Sequence, residues 1–452
     1  MQLKLKKGLN LNIDGAVGDW TKVQEVIPQY CAVIPDDFHG FVPKVSVKEG
    51  DPVKIGSPLL YDKTQPDMML TSPASGTVKA IVRGERRKIL RVVVEVDKTN
   101  PREYESFSTK GLSGADDFRK LLANAGLLAQ IRQRPYDIVP NLSAQVRDIF
   151  VTAFDLAPLA PDPSVEFDQG KAANMLAAGV AALAKLTSGK VYISTGEGWK
   201  FGSIPGAEMV EVSGEYPASN AGVQAANIAP VNKGETIWCL DAVTLYNIGC
   251  LMTNGTVNSD TVVAVTGPEA KNPCLIRTLC GAEIAPLVNG HLAGDVRNER
   301  IISGNVFTGT AVSAEPETSY LHFPYRQITL IAEGNHADEF MGWASVAPSK
   351  MSQSRTFPGH FLNRLFRPDA RIHGGRRAMI MSGEYDSVLP MDILAEYLLK
   401  AIISRNIESM EKLGIYEIAP EDFAAAEYVD TSKLPLQKIV REGLDYLRKE
   451  LE

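Results

Sequence analysis

Two arginines and a tyrosine follow directly after a predicted helix, in the run Ile131-Arg-Gln-Arg-Pro-Tyr136. Arg132 and Arg134 supply guanidinium groups, which hold planar oxygen ligands through a fixed fork of N–H donors. Tyr136 adds an aromatic ring beside a proline turn, and a few convergent polar groups among apolar walls are typical of ligand pockets. The same residues also suit an interface between domains, so both interpretations stay open.

A second group of chemically distinctive residues lies in a Gly-, Pro- and Arg-rich stretch between Lys350 and Arg377. Interleaved arginines and aromatic side chains are typical of partner-binding surfaces. The candidate interface residues are Arg355, Phe357, Phe361, Arg364 and Arg367. The alternative is a packed loop with exposed arginines.

Motifs that would identify a catalytic machine are missing from the sequence. We find no phosphate-binding G-x-x-x-x-G-K-[ST] loop, no H-E-x-x-H, no G-x-S-x-G and no EF-hand loop. The six histidines have no metal-ligand spacing. Gly196-Glu-Gly198 follows a strand-like run but lacks a third glycine, which favours an ordinary turn over a nucleotide or flavin site. We therefore predict no catalytic residue and no metal ligand.

Composition limits the class of protein. With 452 residues, 44% of them hydrophobic and 22% charged, the chain is predicted to form several folded domains. A net charge of −7 disfavours general nucleic-acid binding, which needs a basic surface. The longest apolar run falls short of the about 20 residues of a spanning helix, and we expect neither a membrane span nor a signal peptide. Five cysteines are expected to be reduced and mostly buried.

The elements that must position these residues fall into four parts, and the predicted fold class is multidomain, α/β and α+β. Short strands with tight turns fill most of residues 1–103, and helices alternate with strands in 104–258 in the manner of a Rossmann-like α/β domain. Strands and Gly-rich turns return in 259–335. Residues 336–452 are predicted to form an interface loop followed by helices.

Two stretches resemble known domains. Lys48–Gly56 together with Thr71–Val78 resembles the biotinyl/lipoyl barrel-sandwich fold, although Gln65 stands where a carrier would hold its modified lysine. Thr266–Ala270 and Arg300–Gly309 resemble the soluble-ligand-binding β-grasp (SLBB) domain. The barrel-sandwich is therefore expected to serve as a building block and not as a swinging-arm carrier.

The order of the four parts resembles the family of A subunits of the bacterial Na⁺-translocating NADH:quinone oxidoreductases. Further stretches that carry the resemblance are Leu5–Leu9, Phe150–Phe154, Glu417–Phe423, Lys433–Pro435 and Ile439–Asp445. The resemblance implies a peripheral protein on the cytoplasmic face of the inner membrane. The complex oxidises NADH, reduces ubiquinone or menaquinone and exports Na⁺, and the implied partners are its B to F subunits, especially the membrane-embedded B subunit. Arg132, Arg134 and Tyr136 then become candidates for quinone contact, and the chain is expected to serve assembly.

Related flavoproteins carry a Gly-rich flavin loop and a cysteine cluster. The corresponding stretch here, Gly126–Tyr136, has lost the glycines, and Ala424–Val429 holds no cysteine. The resemblance thus implies no flavin and no iron–sulfur centre on this chain, with FMN, FAD, riboflavin and Fe–S on other subunits, and no independent catalysis. The alternatives are a soluble NADH:flavin dehydrogenase and a non-catalytic ligand-binding scaffold.

Overall fold

A computed structural model of the protein describes residues 1–294, 298–335, 361–362, 364–372 and 374–452. The strands are β1 Gln2–Lys4, β2 Val23–Glu25, β3 Tyr30–Val33, β4 Pro43–Val45, β5 Pro52–Val53, β6 Pro58–Asp62, β7 Met69–Thr71, β8 Gly76–Arg83, β9 Ile89–Val96, β10 Arg132–Arg134, β11 Asp148–Thr152, β12 Val191–Thr195, β13 Glu208–Ser213, β14 Ile237–Asp241, β15 Asp260–Thr266, β16 Cys274–Leu279, β17 Glu299–Ser303, β18 Thr310–Val312 and β19 Gln327–Ala332. The helices are α1 Ala115–Asn124, α2 Ala172–Leu183, α3 Ala221–Ile228, α4 Ala242–Asn254, α5 Ile284–Val288, α6 Tyr385–Val388, α7 Ala395–Ile403, α8 Ile407–Lys412, α9 Ala424–Val429 and α10 Leu436–Leu451.

The barrel-sandwich part is built from two small antiparallel sheets, ordered β3-β9-β8-β5 and β4-β6-β7. Alternating side chains such as Val92 and Val94 are fully buried between them, as the period of a strand requires. The turn between β6 and β7 holds Gln65, whose Oε1 accepts from the Leu142 N–H at 2.6 Å. This turn is therefore used as a contact with the α/β domain.

The α/β domain has one six-stranded sheet in the order β1-β13-β12-β11-β14-β10, parallel except for the edge strand β10. Ile149 and Val151 of β11 belong to the core on the side of α2 and α4, while Phe150 belongs to the core on the side of α3. A Cβ at Gly249 would lie 1.8 Å from the Met175 carbonyl oxygen, so glycine is needed for α4 to pack on α2. Helices thus cover both faces of the sheet.

The β-grasp part is a second six-stranded sheet, ordered β18-β17-β19-β15-β16-β2, with α5 packed on it. Its outer strand β2 comes from the N-terminal segment, and β1 of the same segment extends the α/β sheet. Residues 1–25 therefore tie two later domains together, although the prediction grouped them with the barrel-sandwich part.

The C-terminal part is helical and packs around one apolar cluster. Leu436, Val440, Leu444 and Leu447 of α10 are fully buried, as their spacing predicts. Among the described residues, no helix is both long enough and apolar enough to span a membrane.

Candidate functional site

A cavity of about 520 Å³ opens at the carboxyl ends of the parallel strands in the α/β domain. Strands β12 and β13 lie on one side of β11, and β14 lies on the other. Open α/β sheets bind ligands at such a switch point, just beyond the strand ends. Thr152 at the end of β11 and Asp241 at the end of β14 both line this switch-point cavity. Its size falls within the range of about 300–1,000 Å³ typical of small-molecule sites.

Arg132 enters the cavity wall from the edge strand β10. Its Nη2 donates to the Asp37 carbonyl oxygen at 2.5 Å, which orients the guanidinium group. Its Nη1 is buried without a hydrogen-bond partner among the described residues. A buried donor of this kind costs free energy unless a ligand or water accepts from it.

Arg134 lies deeper, with 1% of its side chain exposed. Its Nη1 donates to Asp422 Oδ2 at 2.8 Å and to the Glu417 carbonyl oxygen at 2.9 Å, and its Nη2 lies 3.3 Å from Glu421 Oε1. Its Nε has no partner within the described part of the chain. Arg134 therefore joins the α/β domain to the C-terminal helices.

The space for Arg134 is made by a glycine. An ideal Cβ at Gly222 in the first turn of α3 would lie 2.2 Å from the guanidinium carbon of Arg134. Any side chain at position 222 would therefore displace the arginine.

Tyr136 is not among the residues that line the cavity. Its ring is buried in the apolar cluster of the C-terminal helices, and Arg441 Nη1 donates to its carbonyl oxygen at 2.8 Å. Its backbone φ of +81° turns the chain away after the cis Arg134–Pro135 bond. The structure thus brings Arg132 and Arg134 together and separates Tyr136 from them.

Two carboxyl groups of the cavity were not predicted from the sequence. Glu421 and Asp155 expose their side chains inside the cavity. Burial, followed by the nearby Asp422 and Asp137, raises the pKa of Glu421 to about 7. Burial also raises the pKa of Asp155, whose Oδ1 accepts from the Ala157 N–H at 2.8 Å. Each lies in or next to a stretch that carries the family resemblance, but only the fold marks them as cavity residues.

The N-terminus of α4, where a phosphate would be expected in a nucleotide site, is capped by a carboxylate of the chain itself. Asp241 Oδ1 accepts from the Thr244 N–H at 2.7 Å, and Asp241 Oδ2 lies 2.6 Å from Arg326 Nη1. Arg326 in turn contacts Glu166, with 3.3 Å between Nε and Oε1. This network joins the β-grasp part to the sheet and places the Asp241 carboxylate at the helix end.

The remaining cavity wall is partly aromatic. Phe154, Tyr216, Phe323 and Tyr325 all line it. Phe323 stacks on Phe38 with ring centroids 5.1 Å apart. Phe154, Phe323 and Tyr325 are half-buried and offer ring surface to a planar ligand, whereas Tyr216 is buried and stacks on Phe307.

The predicted partner-interface residues have different positions. Arg355 and Phe357 lie outside the described residues. Phe361 is 68% exposed and Arg364 is exposed. Arg367 contacts Asp14 and Glu269, each at 3.2 Å, so its positive charge is paired with carboxylates of the same chain.

No three or more His, Cys, Asp or Glu side chains are grouped to hold a metal ion in the part of the chain that the structure describes. Cys31, Cys239 and Cys250 are buried, Cys274 is half-buried, and Cys280 is exposed. All five are free thiols, as predicted.

Comparison with protein families places three models on the chain. They are described as the NqrA N-terminal barrel-sandwich hybrid domain at residues 3–97, the NqrA second alpha/beta domain at 114–257, and the NQRA C-terminal domain, an SLBB model, at 262–314. The predicted fold class is thereby confirmed, with helices at the C-terminus.

Full-length relatives match as well. The A subunit of the Na⁺-translocating NADH-quinone reductase of Neisseria meningitidis serogroup B is 35% identical over 99% of this chain and 100% of the relative. Those of Serratia proteamaculans and Pasteurella multocida are 35% and 34% identical, with the same coverage. A solved NAD⁺-reducing [NiFe]-hydrogenase in the air-oxidized state matches with 14% identity and a TM-score of 0.34, over 48% of this chain and 46% of that one.

Proposed function

The chain belongs to the family of A subunits of the Na⁺-translocating NADH-quinone reductases, and we propose on this premise that its switch-point cavity holds the ring of a quinone. The second proposed role is assembly, through contact with the B to F subunits and above all with the membrane-embedded B subunit. The chain would then sit peripherally on the cytoplasmic face of the bacterial inner membrane.

The observation that carries the quinone proposal is a pair of unused donors. Arg132 and Arg134 both line the cavity, and Arg132 Nη1 and Arg134 Nε have no hydrogen-bond partner among the described residues. Quinone carbonyl oxygens accept such bonds, and a hydrogen bond from a charged donor contributes about 1.5–3 kcal/mol. The aromatic side chains supply apolar surface for the ring.

The charges of the cavity favour an uncharged ligand. Arg326 is paired with Asp241, Arg441 with Asp137, and Arg134 with Asp422. Glu421 and Asp155 add carboxyl groups that would repel a phosphate when ionised. A neutral ring does not oppose these carboxylates.

We further propose that this chain carries no flavin and no iron–sulfur centre, so that it does not catalyse electron transfer by itself. The occupied N-terminus of α4 supports this proposal, because a flavin phosphate would compete there with Asp241. FMN, FAD, riboflavin and Fe–S centres would lie on the other subunits, and Tyr136 would stabilise the domain contact instead of touching quinone.

The test is steady-state kinetics of the assembled complex with Arg132→Ala in this chain. We expect the KM for quinone to rise about tenfold with a nearly unchanged kcat, because a binding donor is lost. Arg448→Ala, which removes a half-buried arginine of α10 outside the cavity, is the matched control. An unchanged KM in Arg132→Ala would contradict the proposal, and loss of the complex from membranes would assign Arg132 to assembly.

A further inference from the structure

The turn between β8 and β9, in the barrel-sandwich part, is strongly basic. Residues 83–88 hold three arginines and one lysine against a single carboxylate, Glu85, in a chain whose net charge is −7. The four basic side chains, all exposed, are Arg83, Arg86, Arg87 and Lys88. We call residues 83–88 the basic tip. None of its residues lines the switch-point cavity, so the proposed quinone site gives it no role.

The backbone of the basic tip forms a type I′ turn. The Lys88 N–H donates to the Glu85 carbonyl oxygen at 3.1 Å, and the two residues between them, Arg86 and Arg87, have φ values of +52° and +61°. A type I′ turn needs positive φ at both central positions, which is why Asn-Gly is the preferred pair there. An arginine in this conformation brings its Cβ too close to the backbone. The geometry of the turn therefore does not explain why arginine occupies both positions.

Contacts within the chain do not explain the two central arginines either. Arg83 Nη1 donates to the Arg87 carbonyl oxygen at 3.2 Å, and Lys88 Nζ lies 2.6 Å from Asp36 Oδ2. The guanidinium groups of Arg86 and Arg87 have neither an ion pair nor a hydrogen bond in the part of the chain that the structure describes. Arg83 and Lys88 thus hold the base of the tip, while the two central side chains extend into solvent.

The position of these charges is fixed by the hairpin below them. Strands β8 and β9 pair from Gly76 opposite Val96 up to Arg83 opposite Ile89. The Gly84 N–H then donates to the Lys88 carbonyl oxygen at 2.9 Å and continues the pairing into the turn. The two free guanidinium groups are therefore presented at the end of a paired ladder.

The composition of the basic tip indicates which kind of partner it suits. Free guanidinium groups bind phosphate oxygens through paired N–H donors. A stable protein interface also needs buried apolar or aromatic side chains at its centre, and residues 83–88 contain none. The surface of an anionic bilayer needs no such centre, because each basic side chain near it contributes through its charge. Phospholipid headgroups are therefore favoured over an acidic protein.

We propose that the basic tip docks on anionic phospholipid headgroups at the membrane surface. This inference uses the proposed peripheral position of the chain but not the quinone site. It adds a direct lipid contact to an attachment otherwise assigned to the partner subunits. Each basic residue strengthens such binding only about fivefold, so the contact orients the chain on the membrane and does not replace the partner subunits.

The test is co-sedimentation of the purified full-length chain with lipid vesicles at low ionic strength, where charge interactions are least screened. One set of vesicles contains phosphatidylcholine and phosphatidylglycerol in equal parts, and the other contains phosphatidylcholine alone. We expect binding to the anionic vesicles only. The double variant Arg86→Asn/Arg87→Gly should bind them about thirtyfold more weakly, because two basic residues are lost. Its thermal unfolding temperature should be equal to or higher than that of the wild type, because Asn-Gly suits the type I′ turn.

The matched control is Arg405→Asn/Lys433→Asn. It also removes two positive charges from residues with positive φ, +53° and +58°, but in the C-terminal part, and it should keep the wild-type affinity for vesicles. Glu85→Gln removes the carboxylate of the basic tip and should tighten binding.

Two results would overturn the inference. One is a wild-type chain that does not bind the anionic vesicles, and the other is an Arg86→Asn/Arg87→Gly variant that binds them as tightly as the wild type. If the wild type ignores vesicles and the variant is lost from the detergent-solubilised complex, the basic tip binds an acidic protein and the inference is equally wrong. None of these results touches the quinone site, which is tested by quinone affinity, so the two failures are distinguishable.

Discussion

Arg134 Nη1 lies 2.8 Å from Asp422 Oδ2, and the two side chains are 1% and 0% exposed. Arg134 ends the edge strand of the α/β sheet, whereas Asp422 comes from the C-terminal part, nearly three hundred residues later in the chain. Asp422 Oδ2 also accepts from the Ala419 N–H at 2.9 Å. One buried ion pair thus joins the cavity wall to the C-terminal helices.

Removing the acid of this pair should destabilise the protein strongly. Asp422→Ala leaves a buried guanidinium group near only the partly exposed Glu421 and near Asp137, which already pairs with Arg441, and breaking a buried pair in this way costs about 3–5 kcal/mol. Chemical denaturation of the full chain measures the loss. Lys412→Ala, which breaks an exposed pair on α8, is the control and should cost less than about 1 kcal/mol. Equal effects of the two substitutions would contradict the role given to Asp422.

Gly222→Ala should destabilise the protein although alanine favours helices. The new Cβ would displace the Arg134 guanidinium group, since the two would lie 2.2 Å apart. We expect the substitution to lower the free energy of unfolding by about 2–4 kcal/mol. Gly18→Ala meets no atom within 4 Å and serves as the control. In an Arg134→Ala background, Gly222→Ala should lower the free energy of unfolding much less, because the clash is absent. Full additivity of the two substitutions would contradict the clash as the cause of the loss.

Glu421 and Glu417 should each make a contribution to stability that falls as pH rises from about 4 to about 7. Burial, with help from Asp422 and Asp392 respectively, raises the pKa values of Glu421 and Glu417 to about 7, against about 4.3 in an unfolded chain. Between these two pKa values the folded state binds more protons than the unfolded state does. The contribution of the two carboxyl groups to the free energy of unfolding therefore decreases from about pH 4 to about pH 7.

Denaturation at several pH values measures this slope in Glu421→Gln and Glu417→Gln, which should each flatten it. Glu408→Gln replaces an exposed carboxylate and should leave the acidic-to-neutral slope as it is. A slope that persists in the double variant would contradict the assignment of these two carboxyl groups.

Arg364→Glu should weaken attachment to membranes without changing the fold. Arg364 is exposed next to the exposed Leu365, on the predicted partner surface. Arg367→Glu tests something different, because Arg367 contacts Asp14 and Glu269 and its reversal disturbs the chain's own packing. Retention on washed membranes and thermal unfolding separate the two variants. If Arg364→Glu stays membrane-bound like the wild type, this surface does not carry the attachment.

The regular elements were predictable because their signals are local. A run of β-branched residues indicates β9, and the apolar spacing of Leu436, Val440, Leu444 and Leu447 indicates α10. The helix that was predicted to lead directly to the two arginines ends earlier, at Asn124, since Gly126 at φ +75° terminates the turn after α1 and the chain then forms the strand β10. The short strands β1 and β2 were missed because each is completed only by pairing with a distant domain.

The site was predictable only in part. Arg132 and Arg134 were identified from residue type, and both line one cavity. Glu421, Asp155 and Arg326 come from three separate stretches of the sequence. No local spacing predicts that the fold brings them together at one cavity. Tyr136 was chosen because it follows the arginines closely, but a turn of the backbone directs its ring into the apolar cluster of the C-terminal helices.

The most direct test of the quinone site is the affinity of the purified full-length chain for a short-chain quinone, measured by calorimetry for the wild type, Arg132→Ala and the control Arg448→Ala. We predict one binding site in the wild type, an affinity about tenfold weaker in Arg132→Ala because a charged donor is lost, and no change in Arg448→Ala. Absence of binding to the wild type, or equal affinity of the wild type and Arg132→Ala, would contradict a quinone site in the switch-point cavity.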